Sequence, residues 1–194
     1  MTVLLPKMKI PEYFKNIASL SPESEKSIIT AFKREDLPKG HFLFKQEDIC
    51  RHIYFIEQGF ARTYNISDSG REITNWFFPE NSFLTAINSF YNSSPARDFC
   101  ILTEDSVVYS MTYSDFNRIL HDQPELARFC FAVLFELAKQ MTEYINSSKF
   151  QTAEDRYLAL VRLHPMILWR ASLGQIASFL GITQETLSRI RAKK

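Results

Sequence analysis

The sequence predicts an α+β protein in which an antiparallel β-sandwich or barrel is followed by a long helix and a C-terminal pair of short helices. Short runs of β-branched and aromatic residues, separated by turn signals at roughly 8–12-residue intervals, fill residues 37–112. An apolar helical pattern begins at Pro124, and another, interrupted by Gly181, begins at Leu173. Apolar residues make up 45% of the 194, which is enough for ordinary globular cores.

The β-rich segment is defined by alternating apolar residues and by glycine turns. Phe42 and Phe44 alternate with polar neighbours, and Gln58-Gly59 and Asp68-Ser69-Gly70 are turn signals. The further strands are predicted at residues 53–56, 60–66, 72–78, 98–102 and 107–111, with a helical piece at 84–91. The first 35 residues are predicted to be helical, with a short turn at 11–16 and a helix capped by Ser21 with Pro22 in its first turn.

The helical region after residue 112 contains one long element. Thr112 and Asp115 predict the cap of a short helix that ends near Leu120. From Pro124 an apolar seam follows the spacing of a helix: Leu126, Cys130, Val133, Leu137 and Met141. Phe129, Phe131, Leu134 and Phe135 extend the apolar surface beyond one face. Such a helix can pack on its own domain and also on a second copy of the chain, and packing within its own chain alone stays open.

Domain boundaries follow from these patterns. Ser147-Ser148 is predicted to break the long helix, and Thr152 to cap a new helix that His164-Pro165 ends. The sequence therefore predicts a β-rich domain at residues 1–123, a connecting helix at 124–148 and a small helical domain at 149–194.

The segment 173–192 carries the pattern of a helix-turn-helix. Gly181 permits the positive φ of a tight turn, Ala177 leaves room for a close helix crossing, and Thr183 can cap the second helix. The apolar positions of the two helices are Leu173, Ile176, Leu180, Leu187 and Ile190. This combination predicts binding to double-stranded DNA.

The outward face of the second helix carries side chains suited to reading bases. Arg189 can donate two hydrogen bonds to guanine, Glu185 can accept one from cytosine, and Gln184 can pair with adenine or a phosphate. Thr183 suits a phosphate, and Ser188 lies on the same exposed face. The remaining basic residues, Arg191, Lys193 and Lys194, are placed for contact with the DNA backbone. A solvated ion pair between Glu185 and Arg189 is the alternative interpretation of their spacing.

The charge distribution indicates a polyanionic partner, and the cysteine usage indicates an intracellular protein. Residues 149–194 carry eight Lys/Arg and three Asp/Glu, whereas the rest carries fifteen and nineteen, so the net charges are near +5 and −4. The three cysteines, Cys50, Cys100 and Cys130, are too few and too widely spaced for a disulfide framework, which predicts a cytoplasmic protein. No apolar stretch reaches the roughly 18 residues that span a bilayer.

Taken together, these segments resemble the Crp/Fnr family of bacterial transcriptional regulators over nearly the whole chain. Residues 39–44 and 53–62 resemble the opening strands of the cyclic-nucleotide-binding jelly roll, residues 124–147 the dimerisation helix, and residues 184–190 the recognition helix. The resemblance implies a jelly-roll sensor domain, a winged helix-turn-helix, and a homodimer that recognises a palindromic operator. It also implies that Glu185 and Arg189 contact bases, and it is compatible with a contact to RNA polymerase.

The effector site departs from the pattern of the cAMP-binding members. Phe83-Leu84 is followed by Thr85-Ala86, so the family's ribose-binding Glu is missing. Arg97 matches the family's phosphate-binding Arg, but Asp98 replaces the neighbouring Ser and would repel a phosphate. The candidate effector residues are Thr85, Ala86, Arg97 and, on the long helix, Thr142. We therefore expect an unidentified small-molecule effector other than cAMP, with Arg97 in a structural ion pair or on another anion.

The sequence offers no set of residues for catalysis or metal binding. The histidines, His41, His52, His121 and His164, lack the spacing of a cupin-type metal enzyme or a haem ligand, and no cysteine precedes Cys50. The remaining alternative is a cyclic-nucleotide-binding signalling module whose C-terminal helices mediate protein contacts. Residues 164–172 are short for the family's β-hairpin wing, and Trp169 is predicted to pack in the core of the helical domain.

Overall fold

Two four-stranded antiparallel sheets face each other in the computed structural model, which describes residues 20–192. The first has the order β1-β8-β3-β6, formed by Lys33–Leu37, Ser106–Thr112, His52–Gln58 and Ser82–Leu84. The second has the order β2-β7-β4-β5, formed by Phe42–Phe44, Phe99–Leu102, Ala61–Ile66 and Glu72–Phe78. The predicted sandwich is thus confirmed.

The core of the sandwich is apolar, and one glycine turn is sterically required. Ile56, Ala61, Cys100 and Leu102 are fully buried in it. Gly59, between β3 and β4, has a φ of +113°, and a Cβ there would collide with the Ser106 hydroxyl, so only glycine fits this turn.

The helices surround and follow the sandwich. The helix Pro22–Ala31 begins after the Ser21 cap, as predicted, and the helix Tyr113–Asp122 begins after the Thr112 cap. Helices α1 to α8 are Pro22–Ala31, Ile87–Asn92, Tyr113–Asp122, Glu125–Phe150, Ala153–Leu163, Ile167–Arg170, Leu173–Phe179 and Gln184–Ala192. None of the described helices is both long and apolar enough to cross a membrane. The turn expected at 11–16 and the residues Lys193 and Lys194 lie outside the described part of the chain.

Several element boundaries differ from the sequence predictions. β1 begins at Lys33, inside the segment predicted to be helical, because its backbone pairs with β8 although its side chains are polar. Residues 82–84 form β6, so the predicted helix at 84–91 starts only at Ile87. α4 continues through Ser147 and Ser148 to Phe150, so these serines do not break it.

The long helix α4 packs the first half of its predicted apolar seam against its own domain. Leu126, Cys130 and Val133 pack into the core formed by α1, α3 and the first sheet. The side chains left outside are those of a neighbouring row, with Phe131, Leu134 and Phe135 exposed by 69%, 58% and 65%. The first turns of α4 are therefore held by their own domain, and the outward apolar row begins at Phe131.

Candidate nucleic-acid interface and effector pocket

Helices α7 and α8 form the predicted helix-turn-helix. Ser172 and Gln175 make a capping box at the start of α7, and Gly181 has a φ of +66° in the turn. The N–H of Ile182 donates to the carbonyl of Ala177 over 3.0 Å, which closes the turn. Ala177 is buried, so its small side chain lies where the two helices approach.

The second helix presents its polar residues to solvent. Leu187 and Ile190 are buried against α7, whereas Gln184, Glu185, Ser188 and Arg189 are all exposed. Thr183 Oγ1 accepts from the N–H of Thr186 over 3.2 Å and so caps the helix. This surface is polar, which fits a DNA groove better than the apolar core of a protein partner.

Glu185 and Arg189 are not paired through their side chains. Among the described residues no ion pair joins them, and Arg189 Nε instead donates to the backbone carbonyl of Glu185 over 3.4 Å. A hydrogen bond from the backbone N–H of Glu185, followed by one from the Thr183 hydroxyl, lowers the pKa of the Glu185 carboxyl. The solvated ion pair is therefore not formed, and the outer nitrogens of the Arg189 guanidinium are open to a ligand.

The Gln184 side chain lies against α7, the first helix of the helix-turn-helix. A Cβ built at Gly174 would lie 2.7 Å from Gln184 Nε2, so the carboxamide occupies the space that a side chain at 174 would fill. Glycine weakens a helix by roughly 0.5–1 kcal/mol relative to alanine. At Gly174 this loss is accompanied by the space that the Gln184 carboxamide occupies.

One prediction about the helical domain is wrong. Trp169 is 87% exposed and does not pack in the core, because α6 turns it outward while Ile167 is buried. The segment 164–172 forms the single helical turn of α6, and the described chain contains no strand between Thr112 and Ala192. The reduced wing expected before α7 is therefore a helical turn.

Arg97 lies at the edge of a shallow pocket of about 460 Å³ beside α2. The pocket is also lined by Glu47, Asn88, Asn92, Ser94, Pro95 and Ala96. Arg97 is exposed and forms no ion pair with another described residue, so the structural ion pair expected for it is absent. The pocket combines one cation with the Glu47 carboxylate, which would oppose a phosphate.

The other candidate effector residues do not line this pocket. Thr85 donates its hydroxyl proton to the carbonyl of His52 over 2.8 Å, and Ala86 precedes α2 without a side-chain cap. Thr142 donates to the carbonyl of Ala138 over 2.9 Å on the exposed side of α4. The structure therefore does not bring Thr85, Ala86, Arg97 and Thr142 together as one site.

Asp98 is engaged with the second sheet. It accepts from Asn75 Nδ2 over 3.0 Å, and Asn75 also donates to Asn65 over 2.9 Å. Burial raises the pKa of Asp98 despite these hydrogen bonds and the nearby Arg97. At the position where the cAMP-binding members have a phosphate-binding Ser, Asp98 thus forms a hydrogen bond to Asn75 of β5.

The contacts of Glu47 and Arg170 were not predicted from the sequence. Glu47 lies in a polar loop with a φ of +70°, and its N–H donates to the carbonyl of Ala96, about a quarter of the chain away. Arg170 joins Glu80 and Glu104, which precede it by 90 and 66 residues. Neither contact follows from local spacing, so no sequence signal could have identified them.

Comparison with known proteins identifies a matching domain family and several relatives in sequence. A family model described as the cyclic nucleotide-binding domain matches residues 34–123. The transcriptional activator protein Anr of Pseudomonas protegens is 26% identical over 185 residues, covering 89% of this chain and 75% of Anr. The anaerobic regulatory protein of Haemophilus influenzae is 26% identical over 171 residues, covering 81% of this chain but only 65% of its relative, just under two thirds.

A solved structure shows the same fold over most of both chains. The c-di-GMP responsive global regulator CLP of Xanthomonas campestris superposes with a TM-score of 0.70 at 16% identity, covering 89% of this chain and 91% of CLP. The relatives are transcriptional regulators and not enzymes. The chain thus contains a cyclic nucleotide-binding domain at residues 34–123, and over most of its length it is similar in sequence to transcriptional regulators and in fold to CLP.

Proposed function

We propose that this regulator binds double-stranded DNA as a homodimer and inserts α8 into the major groove of each half of a palindromic operator. The observation that carries the proposal is the two-sided character of α8. Leu187 and Ile190 are buried, whereas Gln184, Glu185 and Arg189 are exposed at the start of the same helix. A helix held by its inner face and polar at its exposed N-terminal end is the form that reads base edges.

Each exposed side chain has a defined part in the proposed interface. Arg189 donates to O6 and N7 of guanine, while Glu185, ionised at neutral pH, accepts from the amino group of cytosine. Thr183, Ser188 and Arg191 contact phosphates and fix the register of α8 on the duplex. Gln184 completes the base contacts once its carboxamide leaves its place above Gly174.

The outward row of α4 supports the homodimer. Phe131, Leu134, Phe135, Met141 and Ile145 are each between 49% and 69% exposed, and with 3.6 residues per turn they fall within about one third of the helix circumference. A second copy can cover the row with the same residues, because a two-fold interface is self-complementary. Two copies related in this way present two α8 helices, as a palindromic operator requires.

The chemistry near Arg97 supports an effector other than cAMP. Glu47 lines the same pocket as Arg97, and Asp98 is held on Asn75, so a cyclic phosphate would meet carboxylates where the family offers a hydroxyl. The structural neighbour CLP is named as c-di-GMP responsive, which is a precedent for a different effector on this fold. Binding of RNA polymerase and action in the cytoplasm belong to the same proposal.

Replacing Arg189 by alanine tests the interface. We expect the variant to bind its preferred duplex more weakly by about 1–3 kcal/mol and to lose base preference at one position of each half-site, because a bidentate contact to guanine disappears. Fluorescence anisotropy on duplexes differing at single base pairs measures both effects.

Arg191→Ala provides the matched control, since it removes the same charge from the same helix. We expect it to weaken binding to all duplexes about equally and to lower the dependence of affinity on salt by roughly one counterion. If Arg189→Ala kept the affinity and base preference of the wild type, the assignment of α8 as the recognition helix would be wrong.

A further inference from the structure

We propose that Arg170 is a positioning residue for DNA binding: it clamps the helix-turn-helix onto the jelly roll and so fixes the half-site spacing that the dimer accepts. The inference rests on the DNA-binding function proposed above. It assigns to the jelly roll a mechanical part in operator selection that is independent of any effector.

The clamp consists of one cation between two carboxylates from the other domain. Arg170 Nη1 and Nη2 lie 2.7 and 3.0 Å from the two oxygens of Glu80. Nη2 and Nε lie 2.6 and 3.1 Å from the two oxygens of Glu104. Both carboxylates are therefore bound by two hydrogen bonds, a geometry that the planar guanidinium favours and a lysine cannot reproduce.

The surroundings of the clamp make it rigid. The side chains of Arg170 and Glu80 are only 16% and 11% exposed, and the Arg170 guanidinium carbon lies 4.7 Å from the centre of the buried Phe60 ring. Burial by itself would raise the pKa of Glu80, but the hydrogen bonds and charge of Arg170, together with hydrogen bonds from the backbone N–H groups of Glu80 and Gly59, lower the pKa overall. The ion pair is therefore fully formed at neutral pH and shielded from most solvent screening.

A second set of contacts holds α7 on the edge strand β5. The N–H of Thr74 donates to Ser178 Oγ over 2.9 Å, so the helix covers part of the open edge of the sheet. Tyr144 of α4 donates its hydroxyl proton to the carbonyl of Phe179 over 3.2 Å, and Trp76 meets both rings edge-on. The clamp and this edge contact join α4, β5 and α7 into one body.

This arrangement links the clamp to operator spacing. The row on α4 fixes one copy relative to the other, and the contacts above fix α7, and with it α8, relative to α4. In a rigid dimer the distance between the two α8 helices is then a single value, and half-sites must match it. With the clamp removed, the edge contact, the apolar packing of Phe60 and Phe77 against α7 and α8, and the two-residue connection between α4 and α5 remain. The helix-turn-helix then stays attached but loses the directional contact that Arg170 supplies, since apolar packing is non-directional.

The test uses the full chain and a duplex that wild type selects from a random pool, together with versions one base pair shorter and longer between the half-sites. We expect wild type to lose roughly tenfold or more in affinity when the spacing changes, which is the usual size of such coupling. Arg170→Ala should lose only about twofold on the same duplexes, with unchanged base preference within each half-site. A merely structural role would instead lower binding to all three duplexes by the same factor.

Further variants distinguish loss of the Arg170 clamp from misfolding of the protein. Arg170→Lys keeps the charge but not the two-pronged geometry, and Glu104→Gln changes the more exposed carboxylate, which is 40% exposed. Both should give intermediate spacing selectivity with wild-type circular dichroism. Arg162→Ala, an exposed arginine of α5, is the control for loss of charge and should keep full spacing selectivity.

The outcomes separate the two proposals. If wild type selects no duplex, the proposed function fails. If wild type binds and discriminates spacing but Arg170→Ala and Arg170→Lys discriminate equally well, DNA binding stands and the positioning role of Arg170 is overturned.

Discussion

A Phe135→Asp variant is expected to be monomeric and to bind its operator about 10²–10⁴-fold more weakly than wild type, because the two linked half-site contacts become independent. Phe131, Leu134 and Phe135 form the most exposed part of the α4 row in the single chain. Burying each such side chain contributes roughly 1.5–3 kcal/mol, and a two-fold interface uses each of them twice. Aspartate removes this burial and places like charges close together in a desolvated interface.

Light scattering coupled to size-exclusion chromatography measures the change directly. Gln140→Asp is the matched control, since it introduces the same charge at an exposed position on the opposite side of α4 and should leave the dimer intact. A Phe135→Asp protein that stays dimeric at the same concentration would show that the α4 row is not the interface.

Phe60→Ala is expected to destabilise the jelly roll and the helix-turn-helix together, by about 3–5 kcal/mol. The Phe60 ring is fully buried, stacks on Phe77 at 5.5 Å and lies beneath Arg170. Phe60 and Phe77 belong to the same buried cluster as Ile176, Leu180 and Leu187 of the helix-turn-helix. A loss of this size is a large part of the roughly 5–15 kcal/mol that stabilises a typical domain.

Chemical denaturation followed by tryptophan fluorescence and circular dichroism tests this coupling. The fluorescence change reports chiefly on Trp76 in the jelly roll, because Trp169 is already 87% exposed in the folded protein, whereas circular dichroism follows the helices. Coincident transitions of the two signals therefore indicate one cooperative unit. Tyr91→Ala removes an aromatic ring that is 73% exposed and should change stability little. Separate transitions, or a Phe60→Ala protein as stable as Tyr91→Ala, would contradict a shared core.

The local parts of this structure were predictable from sequence because their causes are local. Gly181 marks the turn of the helix-turn-helix, Ser21, Thr112 and Thr152 cap helices within three residues, and turn glycines separate the strands. The polar face of α8 follows from helical periodicity once Leu187 and Ile190 are assigned to the core.

The predictions that were wrong concern features that depend on partners distant in sequence. β1 is a strand although its side chains are polar, because pairing with β8 satisfies its backbone. Which row of α4 faces out depends on how the sandwich packs against it, and several apolar rows compete on that helix. Arg170 and Trp169 are neighbours, yet one is clamped and the other exposed, since the positions of Glu80 and Glu104 decide which side of α6 is covered.

Selection of bound duplexes from a random pool by the purified protein tests whether a dimer reads a palindromic operator through α8. We expect enrichment of a palindromic sequence whose half-sites are centred about one helical turn, ~10–10.5 base pairs, apart. We also expect a guanine in each half-site whose enrichment disappears with Arg189→Ala. A pool without enrichment, or one enriched for a single asymmetric site that Arg189→Ala selects equally well, would contradict a dimer that reads DNA through α8.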